Sequence, residues 1–372
     1  MNVPLMNPRA QYVGLESELT SLMSGIIDTG TFILGPNVAA FEAAAAEYLG
    51  VKHAIGVGNG TDALVIGLRA LGIGAGDEVI CPAYTFYATG ESIAAVGATP
   101  VFADIDPETM TMDPDSVRER ITGKTKAIMP VHLFGQPADM DALQAVASEH
   151  GLFVIEDSAQ AWGSEYFGRK AGSMGDLGTF SFFPTKNLPC FGDGGLVTTN
   201  SDDVAALVRK LRFHGSKDKK VFEYVGYNSR LDELQAAILL RLMQEVDAWN
   251  AHRREVACWY EDAGLGELVT TPFVAEGRSH IYHLYMIRSE HRDAINKACS
   301  DAGVASAVYY QPASHLQPVF AHLGGAPGDL PVTEAVSADG LALPMFATMT
   351  REQVDAVVAA VRTAVPAGVA AG

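Results

Sequence analysis

Between residues 51 and 200 the chain repeats one unit, a short apolar segment followed by an amphipathic helix. Apolar segments at Ala54–Val57, Glu78–Cys81, Thr99–Ala103, Thr125–Met129 and Leu152–Glu156 have the length of buried strands. Helical spacing fills the gaps at Thr61–Leu71, Phe86–Val96, Asp113–Ile121 and Ala138–Glu149, the last with Met140, Leu143 and Val146 on one face. Strands separated by helices are joined by crossovers rather than hairpins. The expected fold is therefore α/β, a mostly parallel sheet covered by helices on both faces. Thr179–Phe183 and Gly195–Thr199 are read as two strands pairing around the loop between them. Ligands bind such sheets beyond the carboxyl ends of the strands. Asp157 and the loops after residues 57, 81 and 129 lie at such ends.

Two helices precede the repeat. One spans 11–28, with Leu15, Leu19, Leu22, Met23 and Ile26 on one face, and an alanine-rich one spans 37–49. Val204–Leu211 and Leu231–Val246 are read as helices after it. Beyond about residue 249 the pattern changes to a strand at Tyr282–Arg288, a helix at Arg292–Ala302, a strand at Val304–Tyr309 and a last helix over 350–363, with His322–Pro331 a loop. The expected organisation is a large domain over 1–248 and a smaller α+β domain over 249–372. The Ala/Gly tail after Val365 reads as flexible.

With 372 residues, 48% of them hydrophobic, the chain can bury a sizeable core. Lys and Arg number 26 against 44 Asp and Glu, a net charge of −18, which leaves no basic face for nucleic acid. Apolar runs are broken by Gly, Pro or charge, so no membrane span is expected. Residues 1–8 lack a basic stretch followed by an apolar one, so no secretory signal is expected. Cys81, Cys190, Cys258 and Cys299 are scattered without a Cys-x-x-Cys pair. Neither a metal site nor a disulfide framework is expected, and a reduced cytoplasm fits best.

The densest concentration of unusual residues is Ser181–Gly195. It is an apolar strand end, Pro184, one lysine, and a run of glycines. Lys186 between apolar segments is costly to bury unless its charge is paired or given up, so it is either a snorkelling surface residue or a working amine. Gly56–Asp62 joins a strand to a helix. It is a tight turn with Thr61 as cap, or a phosphate cradle built from backbone N–H groups. It is neither G-x-G-x-x-G nor a Walker loop. Asp157 ends a central strand, as a structural hydrogen-bond acceptor or as partner to a protonated ring nitrogen. Gln160 reads as a polar helix residue or a contact to a ring oxygen, Phe86 as core or as a stacking surface, and Ser181 as an ordinary strand serine or a phosphate contact. Arg209, Lys210, Arg212, His214, Lys217, Lys219 and Lys220 form a basic run, a solvated helix end or a phosphate-attracting mouth.

Taken in order, these signals resemble the pyridoxal phosphate (PLP)-dependent fold-type I aminotransferases, and most closely the DegT/DnrJ/EryC1/StrS family of sugar aminotransferases. The matching stretches are Phe32-Ile-Leu-Gly-Pro36, Asn59-Gly-Thr-Asp-Ala-Leu64, Gly76-Asp-Glu-Val-Ile80, Pro130-Val-His-Leu-Phe-Gly-Gln136, Glu156-Asp-Ser-Ala-Gln160, the lysine loop, Tyr227 to Ala237 and His315-Leu-Gln-Pro318. They span nearly the whole chain. The resemblance implies a seven-stranded large-domain sheet, Lys186 as the internal-aldimine lysine, and Asp157 on the pyridinium nitrogen. It also implies Gln160 on the ring hydroxyl side, Gly60, Thr61, the Asp62 amide and Ser181 around the phosphate, and Phe86 on the ring. Asn228 would reach the phosphate of the neighbouring subunit, so a homodimer with shared sites is implied. Pro189 stands where the family often has Gly, and Gln311 and Ser314 replace a more usual Pro and an apolar residue.

The implied chemistry is ping-pong transamination. Glutamate is the expected amino donor, Lys186 the acid and base, and a nucleotide-linked keto-sugar the acceptor. Lys217, Arg230, Tyr309, Tyr310 and His315 are the expected sugar contacts. The Tyr-Tyr to His-Leu-Gln-Pro segment looks more like members acting at C3. Amination at C4 or of a cyclitol ketone stays open, as does a non-transaminating dehydratase or regulatory homologue. Lys186 counts against the last, because dehydratase relatives lack the lysine.

Overall fold

The structure is a computed structural model that describes residues 2–365, so the Ala/Gly tail lies outside the described residues. The helices are α1 (Pro8–Gln11), α2 (Glu16–Thr29), α3 (Pro36–Leu49), α4 (Gly60–Ala70), α5 (Ala88–Ala95), α6 (Pro114–Glu119), α7 (Met140–His150), α8 (Asp202–Leu211), α9 (Glu233–Leu242), α10 (Val246–Asp262), α11 (Arg292–Asp301), α12 (Pro331–Asp339) and α13 (Arg351–Ala364). The strands are β1 (His53–Val57), β2 (Glu78–Pro82), β3 (Thr99–Ala103), β4 (Thr125–Ile128), β5 (Phe153–Asp157), β6 (Glu165–Tyr166), β7 (Arg169–Lys170), β8 (Leu177–Ser181), β9 (Gly195–Thr199), β10 (Tyr285–Arg288) and β11 (Gly340–Leu343).

Seven strands form one sheet in the order β1-β9-β8-β5-β4-β2-β3. Only β9 runs against its neighbours, pairing antiparallel with both β1 and β8, and the other pairs are parallel. Strands β1, β8 and β5 therefore end at one edge, with Val57, Ser181 and Asp157 side by side. Both faces are covered, as the near-continuous apolar strands required. Along β2, Val79 packs into one core with Ile55, Leu64, Ile155 and Val197. The next residue, Ile80, packs into the opposite core with Ile128, Met140 and Leu143. Side-chain caps start the crossover helices: Asn59 accepts from the Asp62 N–H, Asp113 from Asp115, Asp139 from Ala142 and Ser201 from Val204.

Two expected elements differ, and one strand was not expected. The helix over 231–246 closes at Leu242 through short turn bonds, Gln244 N–H to the Arg241 carbonyl and Glu245 N–H to Leu242, and restarts as α10. That helix passes residue 249 and carries Val246 in the large core and Val256 and Tyr260 in the C-terminal one. The strand expected at Val304–Tyr309 is two isolated bridges, Val304 to Val3 and Ala307 to Ala342. Its neighbours change along its length, so no ladder forms. Finally, β10 pairs with β11, which follows α12 directly at Asp339-Gly340 and escaped the sequence reading. Val3 packs in the C-terminal core, so the first residues do not follow the expected 1–248 division.

The glycine closing the lysine loop has a local cause. Gly195 sits opposite both Ser181 and Val57, and a Cβ there would overlap the Asn59 carbonyl behind the start of α4. The close approach is to this chain's own backbone. Gly195→Ala is expected to destabilise the fold by about 2–4 kcal/mol, because rigid backbone has to move. Denaturant unfolding checks this, with Gly123→Ala, which meets nothing within 4 Å, as the control.

Candidate active site

At the sheet edge where β1, β5 and β8 end, a cavity of about 590 Å³ opens. Its wall includes Gly60, Thr61, Phe86, Asp157, Gln160, Ser181, Lys186, Tyr309 and Tyr310, nine of the residues singled out from sequence. The volume is that of a small-molecule site.

The cradle forms at the start of α4. Asn59 takes the Asp62 N–H at 2.8 Å, and the Ala63 N–H reaches the Asn59 carbonyl at 3.1 Å. The Gly60 and Thr61 N–H groups, first in the helix, lie on the cavity wall, where the helix N-terminus favours an anion. A Cβ on Gly60 would stand 2.6 Å from the Ser181 Cβ, so glycine lets the helix start rest on the end of β8. The turn is braced from behind. Ser229 Oγ accepts the Gly58 N–H at 2.9 Å and donates to Asp62 Oδ2 at 2.6 Å. The Asp62 amide, expected on the phosphate, is thus engaged in capping, and Asp62 acts as a brace.

Asp157 is buried at the end of β5. Its carboxylate accepts from the Thr89 hydroxyl at 2.9 Å and the Ala159 N–H at 3.2 Å. Burial raises its pKa, opposed by those two hydrogen bonds and by Lys186 and His132. Lys186 hangs from the β8–β9 loop and faces the cavity. Burial lowers its pKa to about 8, against the pull of the Asp157 charge. An amine with a lowered pKa on the same wall as a carboxylate with a raised one is the kind of perturbed pair that concentrates at functional sites.

Gln160 accepts from the Phe134 N–H at 2.7 Å and donates to the Tyr310 hydroxyl at 2.9 Å. Helix α5 starts at Ala88, so Phe86 precedes it and keeps an exposed ring at the cavity, tilted against Tyr310 with centroids 6.2 Å apart. Tyr310 also stacks on Phe134 at 6.2 Å. The set fits PLP. Free helix-start N–H groups and hydroxyls suit a phosphate, an exposed ring suits a flat heterocycle, and an under-partnered carboxylate suits a protonated ring nitrogen.

Four other expected residues are not on this wall. Asn228 and Lys217 are exposed and Arg230 is partly buried, all beyond it. His315 is buried on a different cavity with Phe102 and Arg120, and its Nε2 lies 3.2 Å from Glu334. The sequence reading missed His283, Asp193 and Met6 on the wall. His283 stands in the apolar run His280–Arg288, and that histidine was the available signal.

Residues 15–362 match the model of the DegT/DnrJ/EryC1/StrS aminotransferase family. A protein of Geobacillus stearothermophilus named a pleiotropic regulatory protein is 48% identical over 356 residues, 95% of this chain and 96% of the relative. A UDP-N-acetyl-3-dehydro-alpha-D-glucosamine 3-aminotransferase of Acidithiobacillus ferrooxidans is 44% identical over 360 residues, 97% of each chain. Among solved structures, DesV of S. venezuelae in complex with a ketimine intermediate matches with a TM-score of 0.95 at 40% identity, covering 97% of this chain and 98% of that one.

Proposed function

The chain belongs to the DegT/DnrJ/EryC1/StrS aminotransferase family, and on that premise we propose that it moves an amino group from glutamate to a keto carbon of a nucleotide-linked sugar, C3 preferred. As a member it is a PLP-dependent aminotransferase. The observation that carries the reading is Lys186 and Asp157 on one cavity wall beneath the start of α4. The 3-aminotransferase relative supports C3.

When bound, PLP supplies a carbonyl that captures amines and a ring that accepts the electron pair of a breaking C–H bond. The Gly60 and Thr61 N–H groups and the Thr61 and Ser181 hydroxyls would hold its phosphate. Asp157 would pair with the protonated ring nitrogen, Phe86 would offer its exposed ring to the flat heterocycle, and Gln160 would face the ring hydroxyl. Lys186 carries the proton to and from the substrate carbon. One cavity serves both half-reactions, so the keto acid leaves before the sugar enters.

Tyr309 and Tyr310 contact the sugar. Among the described residues Lys186 is the one cationic side chain on the wall. We infer that Arg230 and Lys217 grip the diphosphate and Asn228 the cofactor phosphate, from the second subunit of a homodimer. Exposed Phe183, Phe222 and Val225 offer apolar surface for that subunit. The four cysteines are unpaired, which supports a reducing, cytoplasmic setting. The relative named as a regulator favours a non-transaminating homologue as second reading, and Lys186 in the cavity opposes it.

Release of 2-oxoglutarate from glutamate, measured with a panel of nucleotide 3-keto sugars, nucleotide 4-keto sugars and cyclitol ketones, tests the assignment. Turnover of the 3-keto sugars is expected. Turnover confined to 4-keto sugars or cyclitols overturns the C3 assignment.

A further inference from the structure

The lysine loop is tied to the rest of the protein by a directional chain of side-chain amides. Asn250 donates through Nδ2 to the Trp162 carbonyl at 3.1 Å, so its Oδ1 is an acceptor. Asn187, next to Lys186, donates through Nδ2 to that Oδ1 at 2.7 Å and to the Ile281 carbonyl at 3.1 Å. Its own Oδ1 lies 3.2 Å from His283 Nδ1. Backbone carbonyls cannot donate, so the direction is fixed from Trp162 onward. The Asn187 oxygen must accept, and His283 must carry its proton on Nδ1. The imidazole Nε2 is then a bare lone pair, without a partner among the described residues.

His283 is buried, held by its N–H to the Phe134 carbonyl at 2.8 Å, and it shares the cavity wall with Lys186. The charged groups that face it are Lys186 from the β8–β9 loop and Arg253 from α10, while Asp157 faces Lys186 from β5. Burial and those two cations keep the imidazole neutral, with its pKa well below the ordinary value. We propose that His283 is a positioning residue whose Nε2, unpartnered in this structure, accepts a hydrogen bond from the Lys186 amine when that side chain turns toward it across the shared wall, aiming it and stabilising its transient ammonium form. When Lys186 takes a proton from a substrate carbon, the charge stays on Nζ and the imidazole stays neutral. The inference rests on Lys186 as the working amine. Its primary readouts use cofactor-free protein, so they are separable from the identity of the sugar.

Asn places its side-chain nitrogen near the imidazole Nδ1 position, and Gln places an acceptor near Nε2. His283→Asn keeps the bond to Asn187 and loses the acceptor, whereas His283→Gln supplies one. Acylation of Lys186 by acetic anhydride in cofactor-free protein, followed by peptide mass spectrometry against pH, has an expected half-point of about 8 in the wild type. Losing the acceptor removes support for the ammonium. The half-point is expected to fall by roughly one unit in His283→Asn and to be restored in His283→Gln. In the cofactor-loaded enzyme kcat should drop roughly tenfold to a hundredfold in His283→Asn with little change in KM. An unchanged half-point in His283→Asn, or equal behaviour of the two variants, overturns the proposal. Nitrogen NMR of the wild-type imidazole decides independently of either variant. A proton on Nδ1 supports the proposal, and one on Nε2 overturns it.

Discussion

Lys186→Ala is expected to lower turnover at least roughly 1,000-fold, because one amine serves as the covalent anchor and as the acid–base. The fold should not suffer. A half-buried amine with its pKa pulled down to about 8 costs stability in its charged form, so the alanine variant is expected to melt at the wild-type temperature or above. Lys186→Arg should not rescue, since guanidinium remains charged and cannot take up a proton. Steady-state rates together with a melting curve separate the cases. A variant that retains a tenth of the rate places the working amine elsewhere. A variant that is inactive and unfolded makes Lys186 structural.

Asp157→Asn is expected to reduce turnover by roughly 100- to 1,000-fold and to weaken PLP retention. It removes the buried anion opposite a ring cation, an interaction of about 3–5 kcal/mol when broken from one side. In cofactor-free protein the sign reverses. The folded-state pKa of Asp157 lies above its ordinary 3.8, with burial the largest cause. Stability from such a group is fully present below the unfolded value and is lost as pH rises through the folded one. The cofactor-free wild type should therefore lose stability as pH climbs from about 3.8, and Asp157→Asn should lose less. Melting curves against pH, with and without PLP, read both effects. Equal pH dependence in wild type and variant would contradict a Asp157 carboxyl short of a cation.

Most of the large sheet was legible because its strands are fully buried and its helices amphipathic, so length and periodicity both report on them. The antiparallel β8–β9 pair was also legible, since the lysine loop joins two apolar runs that end in turn residues. β11 was not. Four residues between Asp339 and Pro344 are too short to report a period, and pairing with β10 defines them. The Val304–Tyr309 reading failed for a related reason: its β-compatible residues have no single neighbour to pair with.

Within the site, Lys186, Asp157, Thr61, Ser181 and Phe86 converge on one cavity wall. Alternation placed Asp157 and the turns that carry Thr61 and Phe86 at strand ends, and the family resemblance added Lys186 and Ser181. His315 follows a different rule. It lies after the Tyr309-Tyr310 segment, and the chain turns away to the Glu334 side. The histidine in its apolar run marked His283, but its significance depends on Asn187 and Asn250, 96 and 33 positions away in sequence. Asp62 shows how a motif contact becomes a brace once the Asn59 cap takes its amide.

The most direct test follows the visible absorbance of the purified protein with added PLP and then with glutamate. Lys186 capturing the cofactor's carbonyl should give a yellow band that glutamate bleaches, and Lys186→Ala should not reproduce the wild-type band. A wild-type protein that is colourless and stays colourless with added PLP would contradict the assignment.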